Sequence, residues 1–69
     1  MISPSEKLQS GVVLKSLRLE KGLSQKQVAL QVGVQQPNYS RLESGKLPIG
    51  KTIAKRLAAF FETDYKIFL

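Results

Sequence analysis

Apolar positions recur along this chain at helical spacing, and glycines interrupt them at short intervals. Over residues 10–21, Leu14 and Leu17 share one face of a helix, with Val13 at its edge, because successive helical residues turn by ~100°. The pattern allows an extra turn over residues 5–9, which Gly11 weakens, so residues 1–9 are read as an N-terminal arm or extra helical turn. Gly22 stands where a left-handed glycine ends a helix. Ser24, followed three residues later by Gln27, then forms a capping-box signature, and Val28, Ala29 and Val32 make the apolar face of a second helix over 25–32. Gly33 closes it. In a third helix, 36–44, Tyr39 and Leu42 fall on one side, while Gln36, Pro37, Ser40 and Arg41 fall on the other. Gly45 is the next terminator. A fourth helix over 52–61 turns Ile53, Leu57, Phe60 and Phe61 inward, and Asp64 caps a last short helix containing Tyr65, Phe68 and Leu69. No useful stretch alternates as a strand would. The expected fold is all-α, a compact bundle of five short helices, with one domain over 10–69.

Composition narrows the chemistry. The 69 residues contain neither cysteine nor histidine, which removes disulfides, thiolate metal sites and imidazole acid–base catalysis. No catalytic group of acid, base and nucleophile can be assembled, so no enzyme activity, cofactor or metal is expected. Eleven Lys and Arg against five Asp and Glu give a net charge of +6, which favours a polyanionic partner. No apolar run approaches the ~20 residues of a membrane span, and the N-terminus lacks the pattern of a signal peptide. A cytoplasmic location is expected, and no linker at Leu69 announces an appended effector domain. The string Gly45-Lys46-Leu47-Pro48-Ile49-Gly50-Lys51-Thr52 matches the phosphate-binding Walker A pattern letter for letter. That mechanism requires a strand before the loop and a parallel sheet behind it. A helix precedes the loop here, so no nucleotide is expected.

Two short helices joined by a tight glycine turn, the second with a polar outer face, form the plan of a helix-turn-helix. Ala29 is small enough to let the helices approach, and Gly33 provides the positive φ of the turn. The stretch Leu17-Arg18-Leu19-Glu20-Lys21-Gly22-Leu23-Ser24-Gln25 resembles the start of the Cro/C1-type (XRE family) helix-turn-helix domain. Gln27-Val28-Ala29, Val32-Gly33-Val34 and the run from Tyr39 to Lys46 continue the resemblance in register. Leu57-Ala58, Tyr65 and Phe68-Leu69 fit the closing helices. The resemblance implies a phage-repressor-like fold that binds operator DNA as a homodimer, with the helix over 36–44 in the major groove.

Residue by residue, it implies that Gln25 holds a phosphate at the start of the second helix. Gln36 opens the recognition helix and reads a base, and Arg41 reads another one turn along. Ser44 and Lys46 touch the backbone, and Arg18 with Glu43 forms a structural ion pair. The side-chain chemistry agrees, since glutamine pairs bidentately with adenine and arginine with guanine. Lys46, Lys51, Lys55 and Arg56 suit flanking phosphates, and Asn38 joins the phosphate contacts. Pro37 departs from the family pattern, offering only an apolar contact such as a thymine methyl. Base readout is therefore expected from Gln35, Gln36 and Arg41 together with the outward-facing Pro37 and Ser40.

The expected role is sequence-specific binding of duplex DNA by a small transcriptional regulator, a repressor or autoregulator acting at a palindromic site. An antitoxin-like or adaptor protein that mainly grips a partner protein is the alternative, and an RNA binder lacks exposed aromatics for stacking. All aromatics except Tyr39 fall in the last ten residues. So small a domain cannot readily bury them all, and Phe61, Ile67, Phe68 and Leu69 are the expected homodimer interface.

Overall fold

A computed structural model describes the backbone of residues 4–69 and the side chains from residue 10 onward. Four α-helices follow in order: α1 (Pro4–Glu20), α2 (Gln25–Val32), α3 (Gln36–Ser44) and α4 (Lys51–Phe61). A single 3-10 turn, Tyr65–Phe68, closes the chain, and no strand occurs among the described residues. The fifth helix is thus one turn long, held at its start by Asp64 Oδ1, which accepts from the Lys66 N–H at 3.0 Å.

The helix ends are written in local chemistry. At Gly22 (φ 68°) the Leu23 and Gly22 N–H groups donate to the Arg18 and Leu19 carbonyls at 3.1 and 3.0 Å. This pairing satisfies two of the carbonyls a helix leaves open at its C-terminus. Ser24 Oγ accepts from the Gln27 N–H at 3.0 Å, and Gln27 Oε1 accepts from the Ser24 N–H at 2.7 Å, completing the capping box. Gly33 (φ 72°) and Gly45 (φ 79°) terminate α2 and α3 in the left-handed region. Glu62 does the same for α4 at φ 55°, without glycine's freedom.

Helix α1 begins earlier than its apolar pattern alone predicts. Residues 4–9 are helical, and the first three lie outside the described residues. Gly11 does not break the helix but lets α3 come close. A Cβ there would lie 2.7 Å from the Leu42 carbonyl oxygen and nearer still to that of Glu43. The core runs through all the elements: Leu14 from α1, Val28, Ala29 and Val32 from α2, and Tyr39 and Leu42 from α3. Ile49, Ala54, Leu57, Ala58, Phe61 and Phe68 complete it. Helix α1 packs on α3 and on the 3-10 turn, and α2 packs on α3 and α4.

That arrangement corrects one expectation. Phe61 and Phe68 are 5% and 1% exposed and belong to the core of the single chain. The 3-10 turn folds back against α1 and α4, carrying Phe68 inward, while Phe61 stacks edge-to-face on Phe60 at 5.0 Å. Of the apolar side chains expected at a homodimer interface, only Ile67 and Leu69 remain at the surface, 40% and 60% exposed.

Candidate nucleic-acid interface

Helix α3 is docked by one side and presented by the other. Tyr39, Leu42 and Glu43 are buried, and Gln36, Pro37, Asn38, Ser40, Arg41 and Ser44 are exposed. Pro37 sits in the first turn, where its missing N–H breaks no helical bond. Gln35 is the N-cap but makes no side-chain capping bond. Like Gln36, it is exposed.

Beneath the exposed face, α3 is fixed to α1 and α2 by a buried polar knot. Arg18 Nε and Nη2 donate to the two Glu43 carboxylate oxygens at 2.6 and 3.1 Å. Arg18 Nη1 donates to the Leu23 carbonyl at 2.8 Å, tying the α1–α2 turn into the same knot. Gln25 Nε2 adds a third donor to the carboxylate at 3.1 Å. Burial alone pushes the Glu43 carboxyl up. The donors Arg18 and Gln25 and the Arg18 charge outweigh it and hold the group below its ordinary value. Conversely, the Glu43 partner raises the Arg18 guanidinium. Tyr39 is the loosest member. Its hydroxyl is buried without a well-formed hydrogen bond, and burial, reinforced by the Glu43 carboxylate, raises its pKa well above the ordinary tyrosine range.

Other residues singled out in the sequence divide according to these bonds. Gln25, the first residue of α2, spends one amide proton on Glu43. Ser44 Oγ donates to the Arg41 carbonyl at 3.2 Å, so its hydroxyl must leave that bond to reach a backbone oxygen. Lys46 is exposed on the segment leading into α4, and Lys51 is exposed at the first position of that helix. Lys55 and Arg56 part company: Lys55 Nζ lies 5.4 Å from the centre of the Tyr65 ring, a cation–π arrangement. Arg56 instead lies beside Gly33 at the α2–α3 turn, its Nη1 3.5 Å from where a Cβ would stand.

Two features of the surface were not singled out in the sequence. A groove of about 430 Å³ runs between α2 and the start of α3, lined by Lys26, Ala29, Leu30, Gly33, Val34, Gln35 and Gln36. Leu30 is 78% exposed beside it. Its signal was present, since Leu30 follows Ala29 off the buried face of α2. The other feature is a contact between Arg41 and Asn38, whose side chains meet across one turn of α3 at 3.4 Å.

Among the described residues no group of histidines, cysteines or carboxylates is arranged to hold a metal, and no helix is long and apolar enough to cross a membrane. Residues 45–50 form the loop into α4, Lys51 and Thr52 already belong to that helix, and α3, not a strand, comes before. A phosphate cradle behind a parallel strand is therefore not built. Nothing among the curated proteins or the solved structures matches the chain. A family model described as Helix-turn-helix does, over residues 14–68, which takes in α2, α3, their glycine turn and the knot that holds α3. Family match and geometry coincide, and the chain belongs to the Cro/C1-type helix-turn-helix family of DNA-binding domains.

Proposed function

We propose that this domain binds duplex DNA sequence-specifically as a small transcriptional regulator, a repressor or autoregulator in the cytoplasm, with α3 in the major groove. The observation that carries this reading is the two-sided build of α3. Its inner side is locked by Tyr39, Leu42 and Glu43, while Gln36, Pro37, Ser40 and Arg41 stand exposed on the outer side. A docked helix with exposed amide and guanidinium groups suits direct readout of base edges, glutamine toward adenine and arginine toward guanine. Gln35 extends that surface at the N-terminus, and Pro37 supplies an apolar contact. Gln25, Ser44, Lys46 and Lys51 flank it as phosphate contacts, which fix register without reading sequence. The net charge of +6 supports the same partner.

Selection of bound sites from a random duplex library tests this reading. The parent should yield a defined motif with inverted-repeat symmetry, matched by DNA flanking its own coding region if it regulates itself. Arg41→Ala should weaken specific binding by roughly 10- to 100-fold, as loss of a bidentate base contact worth ~1–3 kcal/mol implies, and relax preference at one position per half-site. Unchanged affinity and preference in Arg41→Ala would take that residue out of base readout. Failure to enrich any motif would remove sequence-specific binding altogether.

A further inference from the structure

The Asn38–Arg41 contact bears on how the recognition helix reads a base. Both side chains lie on the exposed face of α3, one turn apart, with Arg41 Nη1 donating to Asn38 Oδ1 at 3.4 Å. Among the described residues only Arg18 and Glu43 form an ion pair, so no carboxylate holds the Arg41 guanidinium. Asn38 is the side chain that does. A free arginine at the protein surface samples many rotamers, and fixing it on DNA costs side-chain entropy. A donor already aimed by a neighbour loses less.

We infer that Asn38 is a positioning residue for Arg41 rather than a phosphate contact. Its Oδ1 fixes one corner of the guanidinium, leaving the Nε–H and Nη2–H edge free to meet guanine N7 and O6. The Asn38 amide, its oxygen occupied, presents only N–H donors, so the pair meets acceptors on two neighbouring positions: guanine for Arg41, and an acceptor such as thymine O4 or purine N7 for Asn38. In water a bond this long and exposed contributes little. In the groove, where water is displaced and the effective dielectric falls, the same bond strengthens.

This inference rests on Arg41 reading a base, and the experiment separates the two. Binding-site selection and duplex affinities are measured for the parent, Arg41→Ala, Asn38→Ala and Asn38→Asp, each checked for an unchanged thermal melt. Both residues are exposed, so folding should be unaffected. Arg41→Ala identifies the base pair that Arg41 reads. Asn38→Ala should flatten preference at that same base pair by about fivefold or more. Asn38→Asp retains an acceptor for Arg41, so it should keep that preference while losing affinity to every duplex through its added negative charge. If Arg41→Ala changes no preference, base reading by Arg41 fails and the inference falls with it. If Arg41→Ala flattens a position that Asn38→Ala leaves sharp, with affinity merely lowered on all sequences, Asn38 is a phosphate contact and only the inference fails. Flattening by Asn38→Asp as severe as by Asn38→Ala overturns it as well, because the acceptor is then not what matters.

Discussion

Burying Arg18 and Glu43 removes two charges from water, and their attraction offsets that cost only when the remaining hydrogen-bonding groups are also met. Here Leu23 and Gln25 help to meet them. Removing one partner strands the other, so Glu43→Ala should lower unfolding stability by ~3–5 kcal/mol, read by denaturant titration, and weaken DNA binding only through loss of the fold. The pH dependence follows from the directions of the shifts. Glu43 is held below its ordinary value of 4.5, so its contribution is present above that value and is lost as pH falls below it. Tyr39 is raised above its ordinary 10.0, so the folded state keeps its advantage below pH 10 and loses it as the unfolded phenol ionises above. Stability measured against pH should show a plateau between these limits, and its acid limb should shrink in Glu43→Ala. Gly11 makes a different point at the same scale. Alanine is the better helix former by ~0.8–1.0 kcal/mol, yet its Cβ would press on the rigid Leu42 and Glu43 carbonyls. Overpacking of ~1–3 kcal/mol should win, and Gly11→Ala should melt lower than the parent. A higher melting temperature would mean that α1 and α3 separate easily.

Between residue and molecule stand the helices, and how far each was legible depended on whether its boundary is local. The start of α2 and the ends of α2 and α3 rest on Ser24, Gln27, Gly33 and Gly45, each acting within a few residues, so the chain pattern reveals them. The start of α1 is different. Gly11 carries a propensity penalty that argues against helix, and only the approach of α3, more than thirty residues away in sequence, shows why glycine stands there. The left-handed Glu62 carries no glycine to betray it. The exposed face of α3 could be read from periodicity. The Gln25–Glu43, Ser44–Arg41 and Asn38–Arg41 bonds could not, because side-chain rotamers depend on neighbours the pattern leaves undefined. A test belongs at this scale too. A non-glycine residue in the left-handed region costs roughly 1–2 kcal/mol, partly offset by the backbone freedom glycine brings to the unfolded chain. Glu62→Gly should therefore raise stability by ~0.5–1 kcal/mol in thermal or denaturant unfolding. A loss would imply that the Glu62 side chain makes a contact worth more than its strain.

For the whole molecule, the question is how the proposed pairing on DNA would use the C-terminal end of the domain. With Phe61 and Phe68 committed to the core, Ile67 and Leu69 are the exposed apolar side chains at the C-terminal end. Two such residues fall well short of the ~1,200 Å² or more that a stable interface buries. Pairing through them is accordingly expected to be weak in free solution and expressed on DNA. Two half-sites one helical turn apart, ~34 Å, hold a second copy at an effective concentration on the order of millimolar, where a weak contact becomes cooperative binding. Sedimentation of the parent should show a monomer alone and two subunits on a full palindromic duplex. Ile67→Asp/Leu69→Asp changes only exposed positions, so it should fold like the parent and bind a single half-site equally well, yet lose the cooperativity between half-sites. One parent subunit per full palindrome would defeat the symmetric arrangement. Undiminished cooperativity in the double variant would instead leave the dimer in place and move its interface away from the C-terminal turn.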